Sequence, residues 1–415
     1  MIAAVMPVAA LLLSAAFLLM GNGLQGTLLP VRANIEGFAF PEIGLISTAY
    51  YIGFGAGCYY GGRIVRRAGH IRTFAAMASL ASAIALIHAL IVTPELWWLM
   101  RAVAGFCFAV LYVVVESWLN ECATNDNRGR ILSIYNVINL TVITVGQMML
   151  TLADPRAFPL FALASILVSL AVVPLAMTTT SPPAPVEIVR IRLRYLYSLS
   201  PVGCVGVFIV GLVNGAFWAL APVFAQGRSF DLTGIALFMS TAVLAGAVGQ
   251  WPLGRLSDLR DRRYVIVGAS TLAAVGGVAM VFSGGLGPWT GFVSVAVFGS
   301  MALPIYSLCL AHMNDFAPKG EFVATSSAML LLYAAGAALG PIPASFLMGQ
   351  VGPQGLFTAT ALGHAALAAF TLMRIYRRTA PAMERKEPFI TVPRTSPTFY
   401  ALDPRSDAAG PEELI

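Results

Sequence analysis

Apolar residues along this chain fall neither at every second position nor at helical spacing with a polar face. They come in long unbroken stretches separated by short polar segments. Such stretches, 18 or more residues each, are long enough for helices crossing a bilayer core of about 30 Å. Six are marked at 8–30, 43–61, 73–93, 96–119, 131–152 and 158–177, and six more at 199–225, 232–253, 264–282, 289–313, 322–349 and 356–376. The pattern predicts an all-α polytopic membrane protein with twelve transmembrane helices. Residues 1–177 would form an N-terminal six-helix bundle and 199–376 a C-terminal one. Between them, 178–198 ("TTTSPPAPVEIVRIRLRYLYS") reads as a cytoplasmic linker, rich in proline and then in arginine. Residues 377–415, polar and proline-rich, read as a disordered cytoplasmic tail.

Composition agrees. The chain is 58% hydrophobic and only 11% charged, against about 25% charged in soluble domains. The net charge of +6 reflects topology and not nucleic-acid affinity. With the N-terminus inside, the outer loops hold only Arg32, Arg156 and Arg228, and Arg101 lies within a span; every other Lys and Arg falls on the inner side. That bias places both termini in the cytoplasm. The first span lacks a basic leader and contains Asn22 and Gln25, so it reads as a retained helix and not as a signal peptide. The five cysteines show no framework or metal spacing, and neither disulfides nor zinc is expected.

The two halves also resemble each other. At a shift of 192, Asn22-Gly23 meets Asn214-Gly215, Pro30-Val31 meets Pro222-Val223, and Gly62-Arg63 meets Gly254-Arg255. At a shift of 194, Gly105, Tyr112 and Asn120 meet Gly299, Tyr306 and Asn314. Parallel repeats of this kind place a substrate site between the halves, near the midplane.

These features resemble the major facilitator superfamily (MFS). Its loop between the second and third helices, roughly G-x-L-x-D-R-x-G-R-R, is met by "GRIVRRAGHIR" from Gly62 and by "GRLSDLRDRR" from Gly254. In the first copy Arg66 stands where the family has aspartate; the second keeps Asp258. "ESWLN" followed by "NRGRILSIYN" is similar to the YcaD-like branch. Arg101 and Gly105 meet the fourth-helix pattern R-x-x-x-G of proton-coupled members. The fifth-helix Gly-Pro pair of drug–proton antiporters is missing, since that segment reads "TVGQMML"; a G-x-x-x-G-P stands in the eleventh helix at Gly336, Gly340 and Pro341.

The resemblance implies a secondary-active, alternating-access transporter of a small organic solute in the bacterial inner membrane. Uptake is the favoured direction, of a vitamin such as riboflavin, with protons as coupling ion and a monomer as the working unit. The alternatives are proton-coupled efflux of amphiphilic compounds, and a non-transporting receptor or scaffold on the same fold. No nucleotide loop, catalytic triad or metal cluster stands out, so no enzymatic activity and no cofactor are expected.

Particular side chains carry the expectation. An arginine at mid-span costs about 2.5–3.5 kcal/mol, and Arg101 lies roughly 8 Å from the start of its span. It either snorkels to the outer interface or faces a central cavity. Asn22, Gln25, Asn136, Asn139, Gln147 and Asn214 are amides that lipid would leave unpaired. Trp218, one turn past Asn214, extends the same face, and Tyr112, Tyr306 and Tyr333 add rings suited to a flat substrate, although each tyrosine taken alone fits ordinary packing better. Gly62, Arg63, Arg66, Arg67, Arg130, Gly254, Arg255 and Asp258 are assigned to the inner gate. The resemblance makes Glu116 a latch for Arg63, Arg66 or Arg67, closed when the cavity faces outward; a proton carrier and a plain solvated helix end are the alternatives.

Overall fold

The computed structural model describes residues 8–124, 127–177, 193–283, 287–318, 320–377, 386, 388–403 and 406. Helices account for the spans. The first half holds α1 (Ala9–Ile35), α2 (Phe40–Ala68), α3 (His70–Leu90), α4 (Pro94–Cys122), α5 (Arg128–Met148), α6 (Pro159–Leu170) and its short continuation α7 (Val172–Ala176). A short helix, α8 (Leu193–Leu199), leads into the second half. There follow α9 (Pro201–Gly227), α10 (Leu232–Leu259), α11 (Arg262–Phe282), α12 (Pro288–Ala302), α13 (Ile305–Asn314), α14 (Phe322–Leu339), α15 (Pro341–Val351) and α16 (Gly355–Arg377). Among the described residues 11 helices or in-line helix pairs are long and apolar enough to cross a membrane. The glycine-rich α2, of 29 residues, completes a set of twelve.

Local chemistry sets several boundaries. Proline stands in the first turn of α2, α4 and α9, where its missing N–H costs nothing. Glu42 accepts the Ala39 amide at 2.7 Å, Ser200 the Gly203 amide at 3.0 Å and Asp231 the Gly234 amide at 2.7 Å, so each ties up a donor that the helix start leaves free. Three predicted spans are interrupted. The tenth breaks between α12 and α13 at Leu303-Pro304, and the eleventh between α14 and α15 at Gly340, before Pro341. The sixth breaks at Ala171, close to Pro174, which lacks the donor to continue the ladder.

The halves pack alike. In the first, α2 lies on α4, α1 on α5, and α3 on α6; in the second, α10 lies on α12, α9 on α14, and α11 on α16. Glycine permits the closest crossings. A Cβ on Gly105 would lie 2.0 Å from the Tyr50 carbonyl oxygen, and one on Gly299, its repeat mate, 2.4 Å from that of Ala242. Close backbone approach through small residues is how helices gain packing energy where water supplies no drive.

We call the end of the bundle where α1 begins the proximal pole and the other the distal pole. The two halves meet tightly at the distal pole. Asn34 donates its amide to Gln226 Oε1 at 3.1 Å, and Gln226 donates to the Val31 carbonyl at 3.3 Å. Asn34 and Gln226 are separated by 192 positions, the repeat's own shift, so two repeat-related residues touch each other, as residues on a pseudo-twofold axis must. Nearby, Thr48 donates to the Ala338 carbonyl at 2.8 Å. The outside of the molecule is apolar: Ile52, Val137, Val248, Phe282 and Phe346 are exposed, a surface suited to acyl chains.

At the proximal pole the expectation of a disordered tail does not hold for residues 388–403. They run back between the halves and end in a 3-10 turn, Pro397–Leu402, with Phe399, Tyr400 and Leu402 fully buried. The reason lies in composition: "FITVPRTSPTFYAL" has a single charge, with Phe389, Ile390 and Val392 near its start and Phe399, Tyr400 and Leu402 near its end, enough apolar surface to order it. Residues 378–385 and 407–415 lie outside the described residues, as does most of the linker, 178–192.

Candidate functional site

A cavity of about 240 Å³ lies between the halves. The close α2–α4 crossing builds one wall. Because Gly105 and Gly53 bring the backbones together, Arg101 of α4 and Tyr50 of α2 sit side by side, with the guanidinium 4.2 Å above the Tyr50 ring. Arg101 is buried and lines the cavity; its side chain does not reach out to the distal interface. The Tyr50 hydroxyl donates to Asn22 Oδ1 at 3.4 Å, and the Asn22 amide donates to the Tyr112 hydroxyl at 3.2 Å. Cation, ring, amide and phenol thus form one chain across α4, α2 and α1.

Other polar atoms in this wall are unsatisfied. Arg101 Nε and Nη1, both amide atoms of Gln25, Asn139 Nδ2 and Gln147 Oε1 have no hydrogen-bond partner among the described residues. All four side chains are buried and border the cavity. Buried polar groups are normally paired, and leaving one unpaired costs about 1–3 kcal/mol, more when it is charged. A cluster of such groups around one chamber is a surface set up for a polar ligand. Asn136, Trp218 and Tyr333 complete the sequence-predicted lining. Tyr51 and Phe54 also line it; the sequence reading passed over them and over Tyr50, because aromatic residues in an apolar span look like packing.

Two predicted residues are not part of the lining. Asn214 is fully buried, and both its amide atoms lack partners among the described residues. It lies beside Gly211 and Gly215, whose Cβ positions would fall 2.3 Å and 2.2 Å from the Tyr333 and Ala337 carbonyl oxygens. That face of α9 is pressed shut against α14. Tyr306 is covered from below: its hydroxyl meets the Tyr400 hydroxyl at 2.6 Å, so the tail stands over it.

The tail forms the cavity floor through Thr391, Val392, Pro393, Arg394 and Thr395. Arg394 stacks on Tyr306 and Tyr333, at 5.6 Å and 5.3 Å from the ring centres. Glu116 lies directly beneath. Its Oε1 accepts from the Tyr135 hydroxyl at 2.7 Å and from Thr395, and its Oε2 accepts from Ser396. Three hydroxyl donors stabilise a carboxylate that is fully buried.

The expected pairing of Glu116 with Arg63, Arg66 or Arg67 is not formed among the described residues. Arg63 stacks on Tyr59 and Tyr60 of its own helix, Arg66 and Arg67 are exposed in the last turn of α2, and Arg130 is exposed in the first turn of α5. The physical reason is occupancy, since tail hydroxyls take the carboxylate's lone pairs. In the second motif copy Arg255 lies over Trp251, 5.7 Å from the ring centre. Asp258 accepts from Arg262 Nη1 at 3.1 Å, and Arg262 Nε donates to the buried Asp315 at 2.8 Å. Gly254 lies under the Phe389 ring, which a Cβ there would approach to 2.3 Å.

The sequence matches the family model described as the Major Facilitator Superfamily over residues 11–197 and 203–404. It is 27% identical over 353 residues to the uncharacterized MFS-type transporter YcaD of Escherichia fergusonii, covering 82% of this chain and 89% of that protein. In three dimensions it is similar to the nucleoside transporter NupG in a mutant form, with a TM-score of 0.75, 11% identity and coverage of 88% of this chain and 99% of the other. It is also similar to a bacterial homolog of the human lysosomal transporter Spinster in an inward-facing, occupied conformation. There the TM-score is 0.73 and the identity 13%, covering 92% of this chain and 97% of that one.

Proposed function

We propose, from the premise that this chain belongs to the Major Facilitator Superfamily, that it imports a small planar solute bearing an anionic or hydrogen-bond-accepting group. It is a membrane transporter and not an enzyme, as members of that family are. The proposal adds substrate class, direction and topology: a monomer in the bacterial inner membrane, both termini cytoplasmic, with protons as the coupling ion. The proximal pole is then cytoplasmic, and on this reading the outer pole is shut while residues 388–403 fill the cytoplasmic side.

One observation carries the reading. Arg101 borders the central cavity with two nitrogens that have no partner among the described residues, while its plane is fixed on Tyr50. Arginine held flat recognises a carboxylate, phosphate or paired carbonyl with geometric precision that lysine lacks. Tyr50, Tyr51 and Trp218 give a flat ring surfaces to lie against, and the amides of Gln25, Asn139 and Gln147 suit hydroxyl or carbonyl groups. A heterocycle carrying a polyol meets these demands. Riboflavin has that form, and so do nucleosides, the cargo named for NupG. The missing Gly-Pro pair of α5, where "TVGQMML" stands instead, supports uptake over drug efflux. In the transport cycle the two halves rock about the cavity; Glu116 changes partners between the tail hydroxyls seen here and the arginines beyond Gly62 when the cytoplasmic side closes.

Thermal unfolding of the purified protein against riboflavin, nucleosides and a wider metabolite set tests the substrate class. One planar, acceptor-bearing compound should raise the midpoint in a concentration-dependent way, by roughly 2–4 °C near saturation. A deletion strain should then show a growth defect rescued by that compound. Stabilisation only by cationic amphiphiles, with toxin sensitivity in the deletion strain, would replace this reading with efflux.

A further inference from the structure

We propose that residues 388–403 are a built-in plug: the proximal vestibule is a binding surface for this segment of the chain itself, and the segment must withdraw before solute passes or the halves rock. This rests on the alternating-access reading above, and the test separates the two.

The segment is attached to both halves. At its start the Phe389 amide donates to both carboxylate oxygens of Asp258, at 3.0 Å and 3.2 Å, from the second half. Two residues on, Asn136 of the first half donates to the Thr391 carbonyl at 2.9 Å. Thr395 and Ser396 then donate to Glu116 of the first half. Ser327 of the second half donates to the Pro397 carbonyl at 3.2 Å, and Tyr400 meets Tyr306 of the same half. A strap bonded alternately to two bodies resists any motion that changes their spacing.

Its place also makes it a stopper. Thr391 to Thr395 are the floor of the solute cavity, and the segment beneath them is buried, with Ser396, Phe399, Tyr400 and Leu402 at 0% exposure. A surface tail merely resting on the bundle would keep its polar side chains in water. This one directs two hydroxyls onto a buried carboxylate and lays an arginine across two tyrosines. Glu116 and the Gly254 recess are thereby given a second use: one anchors the segment's middle and the other receives the Phe389 ring at its start. The device is a regulatory contact set by whatever draws the tail away from the pole.

Hydrogen exchange on the full-length protein in lipid nanodiscs reads the plug directly, alongside labelling of Cys58 by N-ethylmaleimide followed by peptide mass spectrometry. Cys58 lies one turn past the cavity-lining Phe54 on the same face of α2 and is 8% exposed. In the unaltered protein, amides of 388–403 should exchange roughly 100-fold more slowly than in an unstructured peptide. Ser396→Glu sets a second carboxylate against Glu116, and Tyr400→Ala removes the buried anchor. Each should return the segment to fast exchange, leave the helices protected, and speed Cys58 labelling about tenfold. Fast exchange of the segment in the unaltered protein overturns the proposal. So does unchanged exchange in both variants, or a freed segment with unchanged Cys58 labelling. None of these results touches solute binding at Arg101, which the thermal screen reads separately.

Discussion

Arg101→Ala should sharply weaken solute binding and transport while the protein stays folded. The guanidinium makes no ion pair among the described residues, and two of its nitrogens lack partners there, so deleting it breaks no native bridge and removes a buried charge that burial penalises. A structural arginine would behave in the opposite way, since breaking a buried pair costs about 3–5 kcal/mol. Solute affinity should instead fall by roughly 10- to 100-fold, the value of one charge-assisted contact of about 1.5–3 kcal/mol. Arg101→Lys should recover only part of this, because an ammonium keeps the charge and loses the planar stacking on Tyr50. Paired thermal unfolding and ligand titration on the three proteins check it. A large loss of stability in Arg101→Ala without ligand would assign the residue to the fold.

Gly105→Val should be among the most damaging single changes outside the cavity. A Cβ there meets the Tyr50 carbonyl oxygen at 2.0 Å and its carbon at 2.9 Å, both backbone atoms, so α2 and α4 must separate. We expect a loss of about 3 kcal/mol or more, the upper end for overpacking, together with loss of solute binding as Tyr50 shifts from beneath Arg101. Gly268→Val in α11 is the control, because a Cβ at Gly268 meets nothing within 4 Å. It should stay within about 1 kcal/mol of the unaltered protein. Detergent-solubilised thermal unfolding of both variants, side by side, reads the difference.

These two positions also mark how much the sequence disclosed. Unbroken apolar runs set helix number and order because a bilayer leaves the backbone few other solutions. The 192-residue shift foretold the matched halves, and Asn34 with Gln226 realises it as a direct bond. Arg101 was legible because a buried guanidinium is too costly to be incidental. Tyr50 was not, since nothing in "STAYYIGFG" distinguishes a ring facing a chamber from one facing a neighbour. The breaks at Leu303-Pro304 and Gly340 were hidden because hydropathy summed over a span is blind to a single missing donor. Asn214 misled for a related reason: the repeat relates it to Asn22, but Gly211 and Gly215 pull its face against α14. The tail was read from its prolines and its charged ends, whereas residues 389–402 between them are mostly apolar or hydroxylic. For Glu116 the sequence did not disclose the tail hydroxyls, since two of its three donors come from a segment 279 and 280 positions away.

The central claim is a single chamber reached in turn from the two membrane faces. Its most direct test is a cysteine at Gln25, a cavity-lining position only 2% exposed, in a protein otherwise free of cysteine and reconstituted in sealed vesicles of known orientation. An impermeant thiol reagent applied from either face should label it, more slowly from the proximal face while residues 388–403 are in place, and ligand should slow labelling from both. Labelling from one face alone, or from neither, would contradict the account.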